Sequence, residues 1–514
     1  LQTFAPPIIE AQFHGLNDAS TPDTLPPGYF SKIDNAFCSD GKVSKVFGST
    51  AINASIAAQP FNGLTAFEKI SSSNKWLVAS INGVSNAQLY QSTGGNFSAI
   101  GSANLSNSKP VWFETANDIV FGFNGTEEVD WDGTTVTKNR SGVPIGNYAK
   151  WFHNYLFVAK TTANPNRLFW SNIGDPTTFS GANFVDVNPG DSDQIMALST
   201  LQDELLVFKR NTIWSITGYS GSTFSTTTIA AQNTNGRIFG YGTVAPFSVV
   251  PVGTDIYFFS MLGSTPVIRS LYKTINAVTL SGGIVSDSIK TTLGNITLAN
   301  LSQIVGTFDG RYVYWSIPTN ASTTNNQIVV LDTWEVNRTK GIYPFTTMSG
   351  KNVSYFAVST IPGYSQVYYA DASLTSGLVF KFDTSLFTDN GVAITMDVRT
   401  RDYSFGIAHK TKWKYLYTTF TSGSAGSLAI GAKLDQGTNY TNQDTINLRG
   451  SSPPLGSFIL GTSTLGGTIT STNRTTLAHL TCHYLNLQFL EATANSVVIH
   501  RWELYAKPRS LRSS

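Results

Sequence analysis

The sequence predicts an all-β protein: a six- or seven-bladed β-propeller, preceded by an extended N-terminal arm and followed by a C-terminal β-sandwich of jelly-roll-like type. Three observations carry that expectation. Charged residues make up only 13 % of the 514 residues and aromatic residues 12 %, and no long stretch shows the 3.6-residue apolar period of an amphipathic helix. An apolar-aromatic phrase flanked by Asn, Asp or Gly recurs through the middle of the chain, and self-similarity at a fixed period is the mark of a repeat architecture. Past residue 388 the rhythm changes to plain period-two alternation, as in antiparallel strands with one buried face.

Residues 1–55 form the arm. Pro22, Pro26 and Pro27 interrupt any helix there, while Asn17-Asp18 and Asp40-Gly41 supply turns. A short hairpin about Asp40-Gly41 is expected, in an arm that either packs on the larger body or reaches a neighbouring subunit.

Residues 56–388 form the propeller. The repeated phrase reads NKWLVASING around Leu77, NDIVFGFNG around Val120, HNYLFVAKT around Leu156 and DELLVFKRN around Leu206. It continues as DIYFFSMLG around Tyr257, GRYVYWSIP around Val313 and NVSYFAVST around Tyr355. These anchors stand 43, 36, 50, 51, 56 and 42 residues apart, close to the roughly 40–50 residues of a four-stranded blade. Radial packing of such blades buries both apolar faces of each sheet and protects its edges. Seven anchors fit six or seven blades, since one blade can show two strong strands. A pair of β-sandwiches with even spacing is the competing architecture. In a propeller, Trp170, Trp214 and Trp315 belong to the core between blades.

Residues 389–506 form the sandwich. TMDVRTRDYSFG, KWKYLYTTFTS and SLAIGAKLDQG alternate with period two. A Gly/Ser/Thr-rich stretch separates them from two closing strands, around 479–489 and 496–506. Residues 507–514, KPRSLRSS, read as a basic tail.

A net charge of +2 advertises neither nucleic acid nor an anionic membrane. The balance is uneven, however. Residues 391–514 hold 12 basic and 6 acidic groups (+6), which leaves 22 and 26 (−4) for the rest of the 34 and 32. That pattern suits two domains with ordinary surfaces, or a basic module docking on something acidic. Cys38 and Cys482 allow one bridge at most. No basic-then-apolar leader opens the sequence. No apolar run approaches the roughly 20 residues of a membrane helix. The expectation is cytosolic synthesis without membrane insertion.

The chemistry-bearing clusters are few. His479 and His483 could share one face of a strand around a metal, but no third ligand lies nearby. Asp186, Asn188, Asp191 and Asp193 in DVNPGDSDQ offer oxygen ligands of the kind Ca²⁺ takes, without an EF-hand pattern or a closing Glu. Glu127, Glu128, Asp130 and Asp132 could include the acid and base of a glycosidase. No nucleophile elbow, Walker loop or dinucleotide fingerprint appears. No enzyme activity, cofactor or metal is expected.

ANPNRLFWSNIGDPTTF followed by QIMALSTLQDELLVFKRNTIWSITG, within Trp151–Gly218, resembles the β-propeller tail proteins of short-tailed bacteriophages. The leader GLNDASTPDTLPPGYFSKIDNAFCSDGKVSKVFGS and the segment DVRTRDYSFGIAHKTKWKYLYTTF are similar to the flanking parts of the same proteins. The resemblance implies a nozzle or hub subunit (a packaged-DNA stabilisation protein), homohexameric, placed below the portal and adaptor rings. It also implies an axial passage for double-stranded DNA and a platform for fibres or spikes. Six blades are common in that family. Contact with DNA would be sequence-independent, and Lys209, Arg210, Arg237, Lys410, Lys412 and Lys414 are the candidates to line the passage. Two other classes compete. One is recognition of host-surface carbohydrate through the aromatic loop from Gly218 to Phe224, with Tyr219 and Phe224 stacking on sugars. The other is a propeller glycosidase using Glu127, Glu128 and Asp130.

Overall fold

Every one of the first six recurring phrases folds as the second strand of an antiparallel meander. The computed structural model describes residues 5–56, 59–101, 103–218, 224–230, 241–275, 281–406, 410–423, 426–448, 470–477 and 480–508. Seven consecutive sheets begin with the inner strands Phe61–Lys69, Trp112–Ala116, Tyr148–Phe152, Ile195–Leu201, Val250–Val252, Val305–Phe308 and Val353–Ser359. The first four are four-stranded meanders, the fifth has three strands among the described residues, and the sixth runs on beyond its fourth strand. The seventh, Val353–Ser359, Gln366–Asp371 and Val379–Asp383, takes its fourth strand, Gly48–Ala51, from the N-terminal arm.

The ring closes through seven apolar cores, one between each neighbouring pair of sheets. Alternate side chains of a strand point to opposite faces, and the second strands show this directly. In the first sheet Leu77 packs against the seventh sheet and Val78 against the second. In the second sheet Val120 faces the first and Phe121 the third. Leu156 and Phe157, Leu205 and Leu206, Ile256 and Tyr257, and Val313 and Tyr314 continue the alternation around the ring. The competing pair of sandwiches has no such closed circuit. The anchor phrases read as continuous apolar runs because both faces of these strands are covered.

Trp170 and Trp315 lie in these cores, 3 % and 0 % exposed. The Trp315 indole N–H donates to the Ser248 carbonyl at 3.0 Å. Trp214 departs from the expectation: it is half-buried at the border of the core between the third and fourth sheets. It sits on the strand Ile213–Thr217, and its indole N–H turns to Thr212 Oγ1 at 2.9 Å.

The arm is woven into the rest of the molecule. Strand Lys32–Asp34 pairs with both Phe345–Ser349 of the sixth sheet and Met396–Arg399 of the C-terminal region. The result is one nine-stranded sheet running from the propeller into the C-terminal strands Met396–Arg399, Leu485–Glu491, Gly426–Leu434 and Thr441–Leu448. The hairpin Ala36–Ser39 and Lys42–Lys45 forms around Asp40 and Gly41, whose φ of 53° and 67° suits a tight two-residue turn. It pairs with the long C-terminal strand Val497–Pro508. Cys38 and Cys482 are both buried and unbridged, and burial pushes the Cys482 thiol up to about 11.

Candidate functional site

The Asp-rich turn after the third sheet does hold a cation, and the cation is Lys209. Its ammonium, fully buried, donates to both carboxylate oxygens of Asp191 (2.6 and 2.7 Å) and to the carbonyls of Val187 and Asn188 (3.2 Å each). The strand Glu204–Lys209 delivers the side chain from behind the turn. Lys209 is therefore withdrawn as a candidate for DNA contact: a lysine caged in this way offers no charge to a ligand. Of the four oxygen-bearing residues of that turn, Asp191 and Asn188 face Lys209. Asp186 is paired with Arg167 at 2.7 Å, and Asp193 accepts the backbone N–H of Asn211 at 2.8 Å.

The other basic candidates divide. Arg210, next to Lys209, is exposed. Arg237 lies outside the described residues. Lys410 is exposed, and Lys412 and Lys414 are half-buried on or beside the strand Thr411–Ser422. Thr411 and Trp413 point inward, so the three lysines share the outward face, and Lys507 stands opposite Lys412 in the ladder. Sequence spacing alone could not supply that fourth cation.

The acidic phrase around Glu128 is internal. Glu128 and Asp130 are two apart on the strand Glu128–Trp131, and both are buried. The Arg140 guanidinium clasps Asp130 in a bidentate pair at 2.7 and 2.6 Å, and its backbone N–H donates to Glu128 Oε2 at 2.8 Å. Burial, reinforced by the neighbouring Asp130 charge, pushes the Glu128 carboxyl up to about 8. Glu128 Oε1 is buried and has no hydrogen-bond partner among the described residues. Glu127 accepts from Ser106 Oγ and Asn124 Nδ2 at 2.6 and 2.7 Å, and Asp132 closes a turn through the N–H of Thr135 at 2.7 Å. Phe224 is also internal: it lies edge-on to Trp170, ring centroids 4.7 Å apart, and is unavailable for stacking on a sugar. Tyr219 and His479 lie outside the described residues. Among the described residues no cluster of His, Cys, Asp and Glu could hold a metal, and no helix is long and apolar enough to cross a membrane.

An axial bowl, which sequence reasoning missed, opens at one end of the propeller. It has a volume of about 540 Å³ and is lined where six inner strands begin, at Phe61, Pro110, Tyr148, Phe247, Val305 and Tyr355. A smaller cavity of about 110 Å³ adjoins it, among Trp112, Phe113, Phe247, Tyr355 and Phe356. Phe247 bridges Trp112 and Tyr355, with ring centroids 5.2 and 5.6 Å away. The bowl is thus blind. It is built from residues that stand far apart in the chain, in or just before the inner strands, where no motif advertises it.

Residues 51–307, half of the chain, match the family described as bacteriophage P22 Gp10, β-propeller. The chain belongs to that family. The matched span begins in the closing strand Gly48–Ala51 and ends in the inner strand of the sixth sheet. Membership makes this a phage structural propeller protein and a virion component. No curated protein matches the chain. Among solved structures, the WD40 domain of Neurospora crassa Pan2 is 10 % identical, with a TM-score of 0.41, over 66 % of this chain and 96 % of that one. A Bacillus subtilis glycoside hydrolase family 43 arabinoxylan arabinofuranohydrolase is 10 % identical, with a TM-score of 0.26, over 88 % and 99 %. Neither likeness bears on what this chain does.

Proposed function

We propose that the chain is the nozzle or hub subunit of a phage tail. Six copies form a ring whose central channel retains and then conducts the genome, with portal-adaptor proteins above and fibres or spikes attached. The role is structural, without catalysis. Membership in the P22 Gp10 propeller family is the observation that carries this reading. The plugged propeller axis supports one detail. Trp112, Phe247 and Tyr355, in ring contact across the axis with centroids 5.2 and 5.6 Å apart, leave no room for a duplex whose major groove alone is about 12 Å wide, so this reading puts the passage between subunits. Cyclic symmetry would repeat the outward face carrying Lys410, Lys412, Lys414 and Lys507 around that passage, a sequence-independent electrostatic lining.

Mass photometry and electron microscopy of the purified chain, alone and with its adaptor ring, test the assembly. A sixfold ring is the expected result. A monomer under both conditions, together with absence of the chain from purified virions, would overturn the reading. Replacing Lys410, Lys412 and Lys414 by Gln should flatten the dependence of log DNA affinity on log salt by about one unit for each phosphate no longer neutralised.

A further inference from the structure

We infer that the blind axial bowl binds a neutral, hydroxyl-rich ligand, an oligosaccharide. The inference concerns a single subunit and stands apart from the hexameric reading. A volume of about 540 Å³ falls within the roughly 300–1,000 Å³ of small-molecule sites, and the aromatic plug beneath it excludes a through-channel. The wall carries six primary amides: Asn62, Asn82, Asn124, Asn147, Gln303 and Asn325. Each amide presents a donor and an acceptor side by side, the complement of adjacent sugar hydroxyls. Tyr148, Phe247 and Tyr355 supply apolar faces between them.

Charge argues against other ligand classes. The lining has one cation and one anion, Lys109 and Asp371. A phosphate or an acidic polymer would call for clustered Arg and Lys, and a metal for several carboxylates.

Some amides are held in place while others are available. Asn62 Nδ2 donates to Asn82 Oδ1 at 2.7 Å, the Ser108 N–H donates to the same oxygen at 2.8 Å, and Asn82 Nδ2 turns to Ser108 Oγ at 3.2 Å. Asn124 is committed to the turn before Glu128. Asn325, 2 % exposed, donates from Nδ2 to the carbonyls of Gln303 (2.7 Å) and Val353 (3.0 Å), while its Oδ1 has no partner. Its amide is therefore fixed in the wall, and Asn325 shapes the bowl without offering that oxygen to a ligand. The Asn147 amide has no protein partner among the described residues, and Gln303 stands exposed at the rim.

The experiment is saturation-transfer NMR on the full chain with a panel of neutral bacterial-surface oligosaccharides, followed by titration of any that respond. Asn147→Ala and Gln303→Ala should each weaken binding roughly tenfold, and Gln303→Trp should abolish it by filling the mouth, all with unchanged melting temperature. Phe224→Leu should leave affinity unchanged, because that ring lies in the core between blades. Three outcomes would overturn the inference: no response from any saccharide at millimolar concentration, binding that survives Gln303→Trp, or a response confined to anionic polymers or peptides.

Discussion

Lys209 shows how far residue-level reading goes. Its neighbour Arg210 is an ordinary exposed cation, whereas Lys209 ends inside a cage built by a turn 18 residues earlier. The sequence displayed both halves, an Asp-rich turn and a strand-terminal lysine, but not that one closes on the other, because the register of two strands decides it. Lys209→Met would leave Asp191 and two carbonyls without their cation. Breaking a buried pair in this way costs about 3–5 kcal/mol, which chemical denaturation should report as a lower midpoint. Arg210→Met should leave the midpoint unchanged. Glu128 supplies a pH test at the same scale. Burial and the Asp130 charge raise its folded pKa to about 8, above the ordinary carboxyl value of 4.5. Between those values the folded state binds a proton that the unfolded state has released. That stabilisation is complete below the lower value and lost as pH rises through about 8. Glu128→Gln keeps an acceptor for the Arg140 N–H and a donor toward Asp130, so its melting temperature should fall less than that of the unchanged protein from pH 6 to pH 9.

At the scale of elements, the legible part of the fold was the second strand of each blade. With both faces covered it becomes an unbroken apolar run, and Leu77, Val120, Leu156, Leu206, Tyr257 and Val313 all fall on such strands. The seventh anchor, Tyr355, lies instead on an inner strand, Val353–Ser359, ahead of the second strand Gln366–Asp371. Ring closure was not legible at all. It joins Ala51 to Phe380 across the whole propeller, and Gly48–Ala51 carries no apolar pattern to announce a strand. The physical reason for Gly48 emerges only in the fold: a Cβ there would come 2.0 Å from the Thr388 carbonyl oxygen. Gly48→Ala must displace backbone on one side or the other, at a cost of about 1–3 kcal/mol. Hydrogen exchange should then show reduced protection at both Gly48–Ala51 and Val379–Asp383, while the second and third sheets keep theirs. Equal loss in all sheets would mean that this strand does not close the ring locally.

At the scale of the molecule, three regions are distinct in sequence but continuous in hydrogen bonding. Asp34 pairs with Thr347 on one side and Asp397 on the other, so the arm is an interior strand of the nine-stranded sheet. One apolar core takes in Ile33 and Val43 from the arm, Trp315 from the propeller, and Trp413 and Phe489 from the C-terminal region. Two ion pairs cross the same joints: Lys45 of the arm with Glu491, both buried, and buried Lys351 with half-buried Asp389 at 2.8 Å. Burial lowers the pKa of both lysines, opposed by their carboxylate partners, so neither pair tolerates separation without an uncompensated charge. Independent domains would unfold in separate steps, whereas a shared core ties the regions into one cooperative unit. Calorimetry of the full chain should therefore give a single transition whose van't Hoff and calorimetric enthalpies agree. Ile33→Asp, placing a charge in the shared core, should lower that one transition as a whole. Two separated transitions, with Ile33→Asp moving only one of them, would show that the arm tethers the regions without uniting them.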